Sequence, residues 1–186
     1  MHFKEKDTMI QVTENISLSS VSVSDQPKLI DLMKRIYPES YAHLWEDKGD
    51  WYIENQYNLE RLKLELQEEN AHYYFVKYQG ATIGVLRFIH KAVFTDCKHI
   101  SGAKLHRVYL NPMMQGMGVG QDLMDWLSEE VKSKGGVMVW LEAMDTQTQA
   151  LAFYEKNGFQ ISSDFTLDYR LMYPKYRGMK RMWKYI

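Results

Sequence analysis

The spacing of apolar side chains predicts a strand followed by two helices in the first third of the chain. Residues 16–23 alternate apolar side chains with serine, which is typical of a strand with one buried face. Asp25, a residue type that caps helices, precedes apolar residues at helical spacing and predicts a helix that ends near Pro38. A second helix is predicted over 59–69, whereas the aromatic and acidic residues 41–57 show no clear period.

The middle of the chain predicts three consecutive strands. Residues 72–78 and 82–89 flank the turn pair Gln79-Gly80, so we expect a β-hairpin. The third strand covers 104–110 and ends at Asn111-Pro112, because proline lacks the N–H that sheet pairing needs.

The last third predicts an alternation of helices and strands. A helix should begin near Gly118, and the nearly all-apolar residues 137–143 are typical of a central parallel strand. Thr146 and Gln149 form a capping box, which predicts another helix. The final strands are predicted over 159–172 and 179–186.

This order of elements predicts a mixed α/β fold. We expect one twisted, mixed sheet of about six to seven strands, flanked by about four helices. No repeat or Pro/Gly-rich linker divides the chain, and 186 residues suit a single core. The predicted division is a polar N-terminal extension over residues 1–14 and one domain over residues 15–186.

Composition excludes several classes of function. The net charge of -1 gives no overall positive field for a nucleic acid or an anionic membrane, so we expect neither as a partner. Basic and aromatic residues near the C-terminus could mark a nucleic-acid contact, but they alternate in the way that is typical of a sheet strand. A single cysteine, Cys97, allows no intrachain disulfide and argues against a Cys/His metal cluster. The sequence has no signal-peptide or membrane-spanning run, so we expect a soluble, cytoplasmic protein.

Three glycines between a strand and a helix give the sequence its strongest functional signal. Gly116, Gly118 and Gly120 follow the strand over 104–110 and open an amphipathic helix. Backbone N–H groups that no side chain shields, together with the positive end of the helix dipole, favour binding of phosphate oxygens. The alternative is a helix start that uses glycine only for close packing.

The glycine spacing leaves two ligand classes open. It differs from the G-x-G-x-x-G of dinucleotide sites but fits the G-x-G-x-G loop of S-adenosylmethionine methyltransferases, in which Glu142 would bind a ribose. The chain after Gly120 is short for such a nucleotide fold, and Asn-Pro-Met-Met-Gln separates the strand from the first glycine. The methyltransferase-like fold is therefore the second interpretation.

Two motifs resemble those of the GCN5-related N-acetyltransferase (GNAT) family. Pro112-x-x-Gln115-Gly116-x-Gly118-x-Gly120 is similar to the family's acetyl-CoA loop, Q/R-x-x-G-x-G/A. The segment from Ala150 to Phe159 is similar to its A-x-x-F-Y-x-x-x-G-F helix ending. The resemblance implies a GNAT fold with acetyl-CoA as cosubstrate; a catalytically silent acyl-CoA-binding module stays a further alternative.

The resemblance also implies which residues bind the cosubstrate. The backbone of the strand preceding the loop should pair with the pantetheine arm, and an N–H there should polarise the acetyl carbonyl. The loop and the first turn of the helix should hold the pyrophosphate. Gln147 stands where many family members carry a pantetheine-binding asparagine. The implied cosubstrate-binding residues are Val108, Tyr109, Leu110, Gln115, Gly116, Met117, Gly118, Val119, Gly120, Gln121 and Gln147.

Acetyl transfer to an amine needs a proton acceptor and a proton donor. An alkyl amine, with a pKa of about 10.4, is protonated near neutral pH, and the departing thiolate must gain a proton. The resemblance assigns the acid to Tyr154. Glu142, a carboxylate within an apolar strand, is the first candidate for the base, with His106 or a water as alternatives. No motif marks Cys97 as an acetylated intermediate, so direct transfer is expected.

Residues 37–60 are expected to border the acceptor. They contain six aromatic side chains, and six acidic residues against one lysine. Such a wall would favour a cationic amine through charge and cation–π attraction, so we expect a small amine such as a polyamine, or a peptide amine. An ordinary solvated helix with core-facing aromatics is the alternative. The oligomeric state is left open, a homodimer included.

Overall fold

A computed structural model describes residues 9–97 and 100–186, and these residues form eight strands and five α-helices. The strands are β1 (Met9–Gln11), β2 (Ile16–Ser20), β3 (Ala71–Tyr78), β4 (Ala81–Val93), β5 (Ser101–Leu110), β6 (Met138–Met144), β7 (Gln160–Thr166) and β8 (Gly178–Tyr185). The helices are α1 (Gln26–Tyr41), α2 (Asp50–Gln56), α3 (Leu59–Gln67), α4 (Val119–Ser133) and α5 (Thr148–Lys156).

All eight strands belong to one mixed sheet in the order β1-β2-β3-β4-β5-β6-β8-β7. The pairs from β1 to β5 are antiparallel, β5 and β6 are parallel, and β8 pairs antiparallel with both β6 and β7. The predicted mixed α/β class is confirmed. The strand and helix counts exceed the expectation because β1 has three residues and α2 has seven, too few to show a period in the sequence.

The N-terminal segment is only partly described. Residues 1–8 of the predicted extension lie outside the described residues. Residues 9–11, also assigned to the extension, form the edge strand β1 and place Ile10 opposite Leu18 of β2. The division into an extension and a domain stays a prediction for the residues before Met9.

Helix α1 does not end at Pro38 as expected. It continues to Tyr41, and the N–H of Ala42 donates to the carbonyl of Pro38. A proline in the last turns removes one backbone donor, but apolar packing of the same helix opposes that loss. The buried residues of α1 are Leu29, Leu32, Met33, Ile36 and Tyr37, and Tyr37 lies directly before the proline.

The sheet separates two apolar cores. Alternation along β3 sends Tyr74 and Val76 to the core under α4, and Tyr73 and Phe75 to the core under α1 to α3. Helix α5 packs on the same side as α4 through half-buried side chains that include Tyr154. The two faces therefore carry different helices, and any opening in the sheet would connect them.

Within the described residues, every helix is too short or too polar to cross a lipid bilayer.

Candidate active site

Strands β5 and β6 separate in the middle of the sheet. Their parallel pairing covers Ala103↔Val139, Lys104↔Trp140 and Leu105↔Leu141, although β5 continues to Leu110 and β6 to Met144. At the same level, the register with β4 passes from Phe88↔Leu105 to Arg87↔Arg107 and skips His106. Such a β-bulge bends its strand, which explains why β5 leaves β6 at this point.

The separation exposes backbone groups of β5. The N–H of Asn111 donates to Ile83 of β4, so the alternation of an antiparallel ladder turns the amide of Tyr109 toward β4 as well. The N–H and C=O groups of Val108 and Leu110 then point to the side where β6 has diverged. Of the three strand residues expected to pair with pantetheine, these two have backbone groups on the open side.

A cavity of about 230 Å³ occupies the gap between β5 and β6. Its walls include Tyr154 and Ala150 of α5 from one core, and Tyr37 and Trp45 from the other. The cavity therefore passes through the sheet and connects the two faces. The remaining lining residues are Tyr41, Tyr52, Lys104, Leu105, His106, Arg107, Val108, Tyr109, Leu141, Glu142, Ala143, Met144, Gln147, Leu167, Tyr169, Met172 and Met179.

The glycine loop lies at the start of α4, on the α5 side of the sheet. Gly116 and Gly118 both have φ of +79°, a left-handed conformation that favours glycine, and a Cβ at either position would have open space around it. The first intrahelical bond is donated by Asp122 to Gly118, so the N–H groups of the first turn have no partner in the helix. These features fit a cradle for phosphate oxygens.

Of the three glycines, Gly120 is the one that lies close to α5. A Cβ at Gly120 would lie 3.4 Å from the ring of Phe153, an ordinary van der Waals contact. The alternative interpretation of the loop, glycine for close helix packing, therefore has no support at Gly116 or Gly118, where a Cβ would meet open space, and little at Gly120.

Two glutamines connect the loop to α5. Gln121 donates from Nε2 to Oδ1 of Asn157 at 2.7 Å, and Gln115 donates to Oε1 of Gln149 at 3.0 Å. The predicted capping box is wrong, because Gln149 makes this contact and the N-cap of α5 is Gln147, without a side-chain cap bond. Gln147 lines the cavity instead. Met117 and Val119, the other loop residues expected to bind, are exposed and buried respectively.

Tyr154 lines the cavity from α5. Its ring makes edge contacts with Phe153 and Phe159, at centroid distances of 5.4 and 5.6 Å. Burial raises the pKa of the Tyr154 phenol, and the nearby phenol of Tyr41, across the sheet, raises it further. The phenol is therefore protonated, and able to donate a proton, throughout the physiological range.

Glu142 lies on β6 at the level where the strands separate. Its Oε2 accepts from Nζ of Lys104 at 2.8 Å, and its Oε1 accepts from Nε and Nη2 of Arg181 at 3.2 Å. Arg181 is in turn bound to Asp96 at 2.6 Å. The carboxylate is thus fixed by two cations from the strands on either side of β6.

His106 is a poor proton acceptor. Its Nδ1 lies 2.6 Å from Nη1 of Arg87, which must be the donor because guanidinium carries no acceptor. Burial, together with Arg107, Arg87 and other nearby cations, lowers the pKa of His106 to about 2. The ring is neutral, with Nδ1 already occupied.

The expected acidic and aromatic wall is only half present. Tyr37, Tyr41, Trp45 and Tyr52 line the cavity, whereas Trp51 and Tyr57 do not. The acidic residues of the same segment lie outside the lining, on the exposed or half-buried surface. These acids are Glu39, Glu46, Asp47, Asp50, Glu54 and Glu60. Within α1 and α2 the helical period turns Tyr37 and Tyr52 inward and the acids outward. Glu46 and Asp47 lie in the loop between these two helices.

Sequence reasoning missed three contributors. Tyr169 and Met172 reach the cavity from the segment between β7 and β8, which was expected to be strand. Arg181 was noted only as part of a basic stretch. Its position opposite Glu142 depends on the β6–β8 pairing, which the sequence does not reveal. The sequence shows only that one predicted strand contains a glutamate and another an arginine.

Comparison with known proteins agrees with this geometry. The family model described as "Acetyltransferase (GNAT) family" matches residues 29–159. An uncharacterized N-acetyltransferase of Lactobacillus delbrueckii subsp. lactis is 22% identical over 145 residues, covering 77% of this chain and 83% of that protein. The spermidine N(1)-acetyltransferase of Thermoplasma acidophilum is 25% identical over 162 residues, covering 83% of this chain and 96% of that protein.

A solved structure shares the fold. The PaiA N-acetyltransferase of Thermoplasma acidophilum, crystallised in complex with coenzyme A, superposes with a TM-score of 0.69. It has 20% sequence identity and covers 92% of this chain and 99% of that one. The family match contradicts the second interpretation, a methyltransferase-like nucleotide fold.

Proposed function

We propose that this chain, which belongs to the acetyltransferase (GNAT) family and is an acyltransferase with acetyl-CoA as cosubstrate, acetylates a primary amine by direct transfer. The observation that supports the proposal is the cavity through the sheet. Its lining joins open backbone groups of β5 and a phenol on α5, on the side of the sheet that also carries the glycine loop, to aromatic side chains on the other side. Two substrates can therefore meet between β5 and β6 from opposite faces.

The loop and β5 would hold the cosubstrate. Gly116 and Gly118 leave their amides bare, and residues 118–121 supply the free N–H groups of a helix start for the pyrophosphate. Val108 and Leu110 have backbone groups free to hydrogen-bond an extended arm, as a further strand would. Gln147, at the N-cap of α5, adds an amide side chain to the same space. Acetyl-CoA supplies the activated thioester.

The acceptor enters as an ammonium ion and loses two protons: the first before attack, and the second as the C–N bond forms and the C–S bond breaks. One proton joins the departing sulfur, so one proton is released overall. We assign the proton that joins the sulfur to Tyr154, because its phenol lines the cavity and its raised pKa keeps it protonated. The second proton of the amine then restores the phenol. Cys97 packs beside Phe94 and Trp140, outside the cavity lining, so an acetyl-cysteine intermediate has no support from the geometry.

We assign the first proton to Glu142. It supplies the single carboxylate among the cavity-lining residues of the described chain. Lys104 and Arg181 fix its position. His106 lines the same cavity, but its occupied Nδ1 and lowered pKa argue against it. A water held by Glu142 would serve the same transfer.

The acceptor in this proposal is a primary amine of a small molecule, such as a polyamine, or of a peptide. The similarity to a spermidine acetyltransferase supports testing polyamines first. The acidic residues on the outer surface of residues 37–60 would attract any cationic amine toward the cavity from a distance.

Two measurements test the proposal together. Calorimetry with acetyl-CoA should give saturable binding, and S-adenosylmethionine should give none. A thiol-release assay with a panel of amines should then show acetyl transfer. Binding without transfer to any amine would indicate an acyl-CoA-binding module without catalytic activity, and absence of binding would remove the proposal altogether.

A further inference from the structure

We propose that the acceptor is a monoamine with a flat or compact apolar body, such as an arylalkylamine, rather than a polyamine or a peptide. This inference rests on the proposed function and narrows its acceptor class. Three observations on the α1 side of the cavity support it: the aromatic lining, the ion pairing of the charged lining residues, and the closure of the cavity between two loops.

Six aromatic rings line this side of the cavity, and we call them the aromatic wall. Tyr37 stacks on Tyr41 and on Tyr52, each at a centroid distance of 4.8 Å. Tyr41 meets Tyr109 edge-on at 5.6 Å. The contacts among the rings fix their orientation, so the wall presents a rigid apolar surface to a ligand. Its members are Tyr37, Tyr41, Trp45, Tyr52, Tyr109 and Tyr169.

The polar atoms of the wall are largely bonded to one another. Nε1 of Trp45 donates to Oη of Tyr37 at 3.0 Å, and the hydroxyls of Tyr52 and Tyr109 lie 3.2 Å apart. Burial raises the pKa of Tyr41 to about 12 and raises the pKa of Tyr109 well above its ordinary value, so these phenols stay neutral. The wall offers ring surface and no negative charge.

The charges in the lining disfavour an acceptor with several ammonium groups. Among the described lining residues the acid is Glu142, and both its oxygens are already bound to Lys104 and Arg181. Lys104 and Arg107 also line the cavity, and each is paired with a carboxylate, Lys104 with Glu142 and Arg107 with Glu65. The described lining therefore offers no free carboxylate to the second ammonium of a polyamine, whereas a monoamine brings only the reacting nitrogen.

Two loops that bind each other close the cavity at one place in the wall. The N–H of Glu46 donates to the carbonyl of Leu171 at 2.9 Å, and the N–H of Tyr173 donates to that of Leu44 at 3.0 Å. Trp45 and Met172, the bridged pair between these bonds, both line the cavity. An acceptor therefore cannot extend out of the cavity between these two loops, which favours a compact body over a long peptide.

The test compares three amines at saturating acetyl-CoA: 2-phenylethylamine, spermidine and a hexapeptide with a free N-terminus. We expect kcat/KM for 2-phenylethylamine to exceed the other two at least tenfold. Calorimetry in the presence of coenzyme A should show binding of 2-phenylethylamine. A preference for spermidine or the peptide, or equal use of all three, would overturn the inference. So would acetyl-CoA binding without turnover of 2-phenylethylamine. If acetyl-CoA itself does not bind, the proposed function fails first.

Two variants test whether the aromatic wall causes the preference for 2-phenylethylamine. Tyr41→Leu should raise KM for 2-phenylethylamine about tenfold and leave acetyl-CoA affinity unchanged. Tyr185→Leu is the matched control, since Tyr185 is exposed on β8, outside the lining, and should change neither value. Leu167→Glu places a carboxylate in the half-buried lining and should shift the preference toward spermidine. Unchanged selectivity in both Tyr41→Leu and Leu167→Glu would refute the assignment.

Discussion

Glu65 of α3 and Arg107 of β5 form an ion pair in which each side chain is only 4% exposed. Arg107 also donates to Oε1 of Gln56 at 3.0 Å, and its guanidinium lies over the ring of Tyr57. Arg87, directly opposite Arg107 in β4, faces the same Glu65 and binds Glu68. One buried carboxylate therefore fixes α3 to β5, which borders the cavity, and to the neighbouring strand β4.

Removal of the Glu65 carboxylate should destabilise the fold strongly. In Glu65→Gln, two buried guanidinium groups lose their shared counter-charge, and we expect a loss of about 3–5 kcal/mol in the free energy of unfolding. Urea unfolding measures it. The control is Glu60→Gln, which breaks the exposed Glu60–Lys63 pair and should cost at most about 1 kcal/mol. Equal losses in the two variants would contradict the structural role of Glu65.

Tyr154→Phe should lower kcat about 10²-fold, the lower part of the range for loss of a general acid. Acetyl-CoA affinity should stay within a factor of about two, because only a hydroxyl is removed. Burial raises the pKa of Tyr154 above its ordinary value near 10, so wild-type activity should not fall through loss of this proton below pH 10. Steady-state rates from pH 6 to 10 measure both effects. Unchanged turnover across that range would exclude Tyr154 as the acid.

Glu142→Gln should reduce kcat about 10²-fold or more if the carboxylate receives the amine proton. The variant keeps the size of the side chain and can still accept a hydrogen bond from Lys104. Glu129→Gln, on the exposed surface of α4, is the neutral control. If Glu142→Gln retains full turnover while its free energy of unfolding falls, Glu142 has a structural role and is not the base.

Gly118→Ala should weaken acetyl-CoA binding about tenfold. The new Cβ meets no neighbour, but φ of +79° strains any other residue by about 1–2 kcal/mol, and relief of that strain moves the amides of the loop. Gly135, after the far end of α4, has φ of +77° and equally open space, so Gly135→Ala should lose similar stability without loss of affinity. Calorimetry and urea unfolding of both variants separate the two effects. Equal affinity in the two variants would remove the phosphate role of Gly118.

His106 should make the fold sensitive to acid. The folded-state pKa is lowered to about 2, whereas an unfolded histidine titrates near 6.5, so the unfolded chain binds more protons between these values. The stability that the neutral, buried His106 contributes is fully present above pH 6.5. As the pH falls below that value, the free energy of unfolding decreases by up to about 1.4 kcal/mol for each pH unit. His106→Asn should lose less stability than wild type between pH 7 and 5 in urea unfolding. His43→Asn, at an exposed position, is the control and should show the same pH dependence as the wild type. If the free energy of unfolding changes equally with pH in all three proteins, His106 is not buried as a neutral side chain.

Local pattern was sufficient for much of the fold. The hairpin turn at Gln79-Gly80, the helix start at Gly118 and the apolar strand β6 each follow from residues near in sequence, and the structure has all three. The glycine loop and the Ala150 to Phe159 motif pointed to the family for the same reason.

The pairing of strands that are distant in the sequence could not be predicted from the local sequence pattern. The bulge at His106 appears only when β4 and β5 are aligned, and the ion pair of Glu142 with Arg181 depends on β8 lying between β6 and β7. The acidic residues of 37–60 were expected in the wall because composition counts charges without the face of the helix on which they lie. The part that Tyr169 plays in the wall had no local signal, since it belongs to an irregular segment.

The opening between β5 and β6 has a consequence for inhibitor design. A single molecule that joins coenzyme A to an acceptor through a short linker would lie between the diverging strands and contact both faces of the sheet at once. When one half detaches, the other half holds it close to its own site, so we expect slow dissociation and long residence even where the contacts at each end are modest.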